Sequence, residues 1–295
     1  MRIPETLRHL IGPLELIHER AGVPLLALAR AGIFALWAVK LLLDPLWRLS
    51  ELPKEMYQPV GVLNLFSPRM QLGLLDPSTL TALWTTTLLV SVACIFARRP
   101  RGFALLSTVA AIFLTVYSSL IRSFGPAVHT DIVLLLSVYA LAGFAWADLF
   151  APRNPGRASY PLVTIVALLC LSYCLVGLNR TVAGGISVFT GDTMESWAVD
   201  ASLRGYYFNT NIGWHVPEWP WIGFFLRSGL PGITLFEITA PLCLAWPHYR
   251  WVFIPVMLSF HLLSLVFMNI FFFDDMLLYL LLVDWSRRYS AMARA

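Results

Sequence analysis

Long apolar runs, separated by short stretches of charge and proline, dominate the pattern along this chain. They fall near 24–43, 78–97, 102–121, 129–150, 160–178, 229–246, 251–269 and 273–285. A helix needs about 20 apolar residues to cross the roughly 30 Å hydrocarbon core of a bilayer, at about 1.5 Å rise per residue. Each run is therefore predicted as a membrane span, about eight in all, the last being short enough to fit a tilted or partly re-entrant segment. No run alternates polar and apolar residues in the units that a transmembrane barrel requires. The expected fold is accordingly all-α, a polytopic transmembrane helical bundle.

Composition agrees with that pattern. Apolar residues make up 58% of the 295 and charged residues 13%, with a mean hydropathy of +0.70. Soluble domains carry roughly 45–50% apolar and about 25% charged residues, so soluble enzymes, nucleic-acid modules and disordered proteins are excluded. The net charge of +4 comes from basic residues scattered over the loops, which implies topology rather than a nucleic-acid partner. With the N-terminus inside, the inner loops hold the larger share of these residues, and Arg98-Arg99-Pro100-Arg101 is their densest cluster. Both termini are thus expected in the cytoplasm. All but Lys40 and Lys54 of the 21 basic residues are Arg, a bias that fits a GC-rich bacterial genome and hence a bacterial inner membrane, whose lipids are the first expected partners.

Three segments are expected: an arm over 1–23, a bundle over 24–286 and a basic cytoplasmic tail over 287–295. The arm places Leu7, Leu10, Ile11, Leu14 and Ile17 at roughly helical spacing around Pro13, which suits an amphipathic interfacial segment. It lacks the apolar core of a signal peptide, so no cleavage is expected. Two longer segments, 44–77 and 179–228, are placed outside. The second mixes Trp197, Trp214, Trp219, Trp221, Tyr206, Tyr207 and Phe208 with Asp192, Glu195, Asp200, His215 and Glu218. Such a mixture suits either a folded cap that docks other membrane subunits or a plain interfacial anchor. Cys94, Cys170, Cys174 and Cys243 lie in apolar runs and are expected to pack as small apolar side chains; no cluster has metal-ligand spacing, and no metal is predicted.

Ionisable groups inside spans are costly unless paired or hydrated, which makes each a functional candidate. Arg30 and Lys40 lie on the first span, Asp131 and Asp148 near the ends of the fourth, Glu237 on the sixth and His261 on the seventh. Because the first and fourth spans run in opposite directions, Arg30 matches Asp148 in depth, and either a structural ion pair between them or contacts with backbone carbonyls are expected for Arg30. Lys40 is near enough to its span's end to snorkel to the interface. Glu237 needs a cation or its own proton. His261 suits either a hydrogen-bonded core or a ligand or proton-transfer role. His129 and Asp131 open the fourth span, while Asp274 and Asp275 stand where a helix N-terminus favours carboxylates. His129, Asp131, Arg180, Glu237 and His261 are the candidates for a polar cavity; His261, Glu237 and Lys40 are the candidates for catalysis.

Several separated stretches together resemble the HTTM family, the membrane domain related to vitamin K-dependent γ-carboxylase. These are Leu25-Leu-Ala-Leu-Ala-Arg30-Ala-Gly-Ile-Phe with Trp47-Arg48 and Tyr57-Gln-Pro-Val-Gly61-Val-Leu, then His129-Thr-Asp131 heading an apolar helix. Next come Leu171-Ser-Tyr173-Cys-Leu-Val-Gly177-Leu-Asn179-Arg180, similar to the family's "Y-x-x-x-G" segment, and finally Phe236-Glu237 and Phe260-His261 ahead of an apolar stretch ending at Trp285. The resemblance, spread over about 24–286, implies a bundle with a polar cavity opening outward. In the carboxylase, a lysine after "Y-x-x-x-G" deprotonates vitamin K hydroquinone. Here Asn179 and Arg180 stand in that place, and arginine, with a pKa above about 12, is a poor base. The carboxylase's second catalytic histidine finds no match in Phe144-Ala-Trp146-Ala-Asp148-Leu, and its large lumenal domain has no counterpart before Ala295.

The resemblance therefore implies the fold without the carboxylase activity. The leading expectation is an accessory or assembly subunit of a bacterial inner-membrane complex that binds a lipid or quinone. An alternative is an enzyme with quinol chemistry acting on a hydrophobic or peptide substrate. A transporter is a third, without the inverted repeat or matched broken helices usual for one. At the outer mouth of the fifth span, Arg180 is expected either simply to snorkel at the helix end or to hold Glu237, an outer-loop Asp or an anionic headgroup.

Overall fold

Prolines mark where several helices begin. Pro68, Pro77, Pro100 and Pro220 each stand in a first turn, where the missing N–H breaks no hydrogen bond. The computed structural model describes residues 22–124, 131–150, 159–204, 212–268, 270 and 272–283. Outside these residues lie all but the last two positions of the expected arm, and with them His129, Tyr206, Tyr207, Phe208 and the basic tail. The helices are α1 (Gly22–Leu43), α2 (Pro68–Leu74), α3 (Pro77–Phe96), α4 (Pro100–Arg122), α5 (Ile132–Phe150), α6 (Ser159–Gly184), α7 (Ser187–Thr190), α8 (Thr193–Arg204), α9 (Pro220–Ile238), α10 (Leu242–Ala245), α11 (Arg250–Met268) and α12 (Phe273–Leu278). No strand occurs among the described residues. The protein is an all-α polytopic helical bundle, and it is membrane-embedded: α1, α3, α4, α5, α6 and α11 are long and apolar enough to cross a bilayer.

Two of the eight expected spans take another form. The run at 229–246 is realised as α9, which starts nine residues earlier at Pro220 and stops at Ile238. Just beyond, Pro241 removes a backbone donor and stands at the head of α10. Hydropathy marks apolar residues, not this break. The run at 273–285 forms six α-helical residues and then four in a 3-10 helix, Tyr279–Leu282. At about 1.5 and 2.0 Å per residue that is roughly 17 Å, about half of a hydrocarbon core.

The expected bundle divides into two compact units, and the division falls within α6, between Ile165 and Val166. In the first unit α1 packs on α3 and α5, and α4 on α3 and α5. Its core joins Phe34, Trp37 and Leu41 of α1 to Leu114 and Tyr117 of α4 and Leu134 and Val138 of α5. Small residues on α4 (Ala104, Ser107, Ala110, Ala111) let backbones approach closely, and the Ser107 hydroxyl donates to the Phe103 carbonyl at 2.7 Å, leaving no unpaired polar group there. Segment 44–77 forms three 3-10 turns and α2. Gly61 lies against α4, where a Cβ would stand 2.9 Å from the rotatable Ser119 Oγ, and its left-handed backbone, at φ +58°, is what calls for glycine.

In the second unit α8 packs against α9, α11 and the 3-10 helix Ile212–Glu218. Met194, Ala198, Ala201, Val216, Ile222, Leu226, Leu230 and Met268 form one cluster there. Segment 179–228 is accordingly helical through most of its described length, with Trp197, Trp214, Trp219 and Trp221 exposed on it. Cys170 and Cys243 are free and buried in this unit, as Cys94 is in the first, and Cys174 is half-buried.

Candidate functional site

Tyr173, Gly177 and Arg180 are spaced i, i+4, i+7 on α6, which puts all three on one helical face. That face meets the end of α9. A Cβ at Gly177 would lie 3.0 Å from the Glu237 Cβ and 3.0 Å from the Ile238 backbone nitrogen, so glycine is what permits the approach. One turn on, the Arg180 guanidinium binds Glu237 through two nitrogens, Nη1 to Oε2 at 2.5 Å and Nη2 to Oε1 at 3.1 Å. Nη1 also donates to the Thr234 hydroxyl at 2.9 Å. The Glu237 side chain is 2% exposed and that of Arg180 14%, so the pair is withdrawn from solvent. Arg180 therefore does not snorkel free of the bundle; it holds Glu237, one of its expected partners.

The other end of the stripe carries a second polar group. The Tyr173 hydroxyl lies 2.8 Å from His261 Nε2, the Tyr279 hydroxyl is also 2.8 Å from that nitrogen, and the Tyr279 hydroxyl donates to that of Tyr173 at 2.5 Å. All three side chains are buried, with Phe253 edge-on to both tyrosines and Phe272 over the imidazole at 4.7 Å. A ring nitrogen has one in-plane position, either a proton or a lone pair. If Nε2 accepts from Tyr173, it has no proton for Tyr279; if it carries a proton, the Tyr173 hydrogen has to point elsewhere. At most two of the three contacts carry a proton at once, and His261 Nδ1 is buried without a hydrogen-bond partner among the described residues. Asp274 and Asp275, in the first turn of α12, are buried. Their position at a helix N-terminus is the expected one, but they face the interior of the unit.

On α9 and α11, Phe236 and Phe260, the neighbours of Glu237 and His261, line an apolar groove of about 430 Å³. Glu237 and His261 thus stand beside groove residues on the same two helices.

The candidates in the first unit are placed differently. Asp131 binds Arg122 and accepts a hydrogen bond from the Ser118 hydroxyl. Arg30 forms no ion pair with Asp148. Its guanidinium stacks on Phe103, 3.3 Å from the ring centroid, and donates to the Ala97 carbonyl at 3.5 Å, while Asp148 is exposed. Of the two expectations for Arg30, the ion pair with Asp148 fails and the carbonyl contact holds, because the chain end of α3 presents an unpaired carbonyl beside the guanidinium. Lys40, expected to snorkel, is buried. No group of His, Cys, Asp or Glu able to hold a metal occurs among the described residues.

Sequence reasoning missed Tyr279, Thr234, Ser118 and Arg122 as site residues, and it quoted Tyr173 only as part of a motif. A tyrosine inside an apolar run near a carboxylate pair was the signal for Tyr279. Comparison with known protein families, with curated proteins and with solved structures finds no match.

Proposed function

We propose that the chain is an HTTM-like integral protein of the bacterial inner membrane, with both termini cytoplasmic and no carboxylase activity. In this proposal it serves as an accessory or assembly subunit of a membrane complex and binds lipid or quinone. One observation carries the reading. Arg180, at the position where the resemblance calls for a lysine base, is held by Glu237 and Thr234. A guanidinium with a pKa above about 12 keeps its proton, and a bidentate carboxylate holds it charged. The residues present therefore do not fit the hydroquinone deprotonation of the related carboxylase. The exposed Trp197, Trp214 and Trp221 supply a surface suited to a neighbouring subunit.

Purification in mild detergent followed by native mass measurement tests this reading. A protein partner in fixed stoichiometry is the expected result. A chain that purifies alone with an extractable quinone or a modified peptide would favour the second reading, an enzyme acting on a hydrophobic or peptide substrate. That reading draws on the Tyr173–Tyr279–His261 cluster, whose short contacts suit proton transfer.

A further inference from the structure

We propose that Tyr173, Tyr279 and His261 bind one ferric ion. Their polar atoms converge from α6, α11 and the 3-10 helix Tyr279–Leu282: His261 Nε2 is 2.8 Å from each hydroxyl, and the hydroxyls are 2.5 Å apart. Hydrogen bonds account for at most two of these three contacts, because the hydrogen that Tyr279 gives to Tyr173 is not available to Nε2 as well. A cation held by all three atoms accounts for every contact. An ion about 2.0 Å from each, an ordinary bond length for nitrogen and oxygen ligands, stands about 1.2 Å off their plane and sees them at angles of about 77–89°. Ligands at the tetrahedral angle would be about 3.3 Å apart at the same bond length, so the triangle is one face of an octahedron and not part of a zinc tetrahedron.

Charge and donor type select the ion. Two of the three ligands are phenolates, which is why the site falls outside any set of His, Cys, Asp and Glu. One imidazole with oxygen anions suits a hard ion, whereas soft ions are drawn to thiolates. Asp275 stands one helical turn ahead of Tyr279, whose N–H donates to the Asp275 carbonyl, so a buried carboxylate shares that face. Two phenolates and one carboxylate neutralise a trivalent ion, and a neutral centre is what burial beside Phe253 and Phe272 requires. On binding, each phenol releases its proton to water, Nε2 gives its lone pair to the ion, and Nδ1 keeps the imidazole proton. No electron is transferred.

This inference goes beyond the proposed function and does not depend on the lipid, quinone or subunit readings. The test loads the full chain in nanodiscs with ferric citrate, removes loose metal by gel filtration over a chelator, and measures retained iron together with the visible and resonance Raman spectra. One iron per chain is expected, with a phenolate-to-iron charge-transfer band and tyrosinate ring modes enhanced under it. Tyr173→Phe and Tyr279→Phe each remove only a hydroxyl, and each is expected to lower iron retention by about tenfold or more and to lose the band, while thermal melting shows the chain still folded. Tyr139→Phe, in the other unit, is expected to change neither. The spectra of the native chain decide the matter even where a variant fails to fold. Four outcomes overturn the proposal: no retained iron, retained iron without tyrosinate modes, a band unchanged in the folded Tyr→Phe variants, or retention of zinc(II) or copper(II) in preference to iron in parallel loadings.

Discussion

Removing one member of the Arg180–Glu237 pair leaves the other buried, and the two removals differ in cost. Arg180→Met strands a carboxylate that is 2% exposed. Glu237 must then take up a proton or stay charged without a partner, and breaking a buried pair this way costs about 3–5 kcal/mol. Glu237→Met strands a guanidinium that is 14% exposed and still has the Thr234 hydroxyl at 2.9 Å, and its long stem can move the charge outward. That loss should be smaller, about 1–3 kcal/mol. The double variant replaces both charges with apolar groups and should be less destabilised than Arg180→Met alone, giving a coupling energy of about 2–3 kcal/mol. Reversible unfolding in mixed micelles across the four proteins measures it. Losses that add to within about 0.5 kcal/mol would refute the pair as a coupled unit. So would a coupling that disappears in high salt, since a buried pair is little screened.

Arg30→Ala should cost about 1–2 kcal/mol through loss of the Phe103 stack and the Ala97 contact; its effect should add to that of Asp148→Ala, and non-additivity in a melt cycle would restore the ion pair. Gly177→Ala should destabilise by about 1–3 kcal/mol, because its methyl group would press on Glu237 and Ile238; a neutral result in the same melts would mean that α6 and α9 do not approach as closely as described. Burial raises the Tyr57 phenol above its ordinary value of 10, so the folded chain keeps a proton that the unfolded chain gives up first. The contribution is full below about pH 10 and falls as pH rises further, and Tyr57→Phe should flatten that alkaline limb of the stability curve; an unchanged limb would contradict the assignment.

The membrane helices were legible because hydropathy integrates over a whole span, and six runs became helices near their expected bounds. What it could not locate were backbone breaks: α9 stops ahead of Pro241, and the shortness of α12 depends on a change to 3-10 geometry. Arg180, Glu237 and His261 were each recognisable as ionisable groups in costly surroundings. Their arrangement was not, since it depends on Gly177 bringing α6 onto α9. Opposite helix directions constrained depth for Arg30 but not rotation about the axis, and rotation chose Phe103 over Asp148. Tyr279 was hidden among leucines, where a tyrosine resembles any large apolar residue until its hydroxyl meets His261.

Oxygen uptake driven by vitamin K hydroquinone, measured on the purified chain in nanodiscs, tests most directly whether Arg180 has displaced the base that the family resemblance would require. The account predicts no uptake above a protein-free control, and none gained by Arg180→Lys. Uptake by the native chain that is abolished in His261→Ala would contradict it and make the Tyr173–Tyr279–His261 cluster the centre of an enzyme.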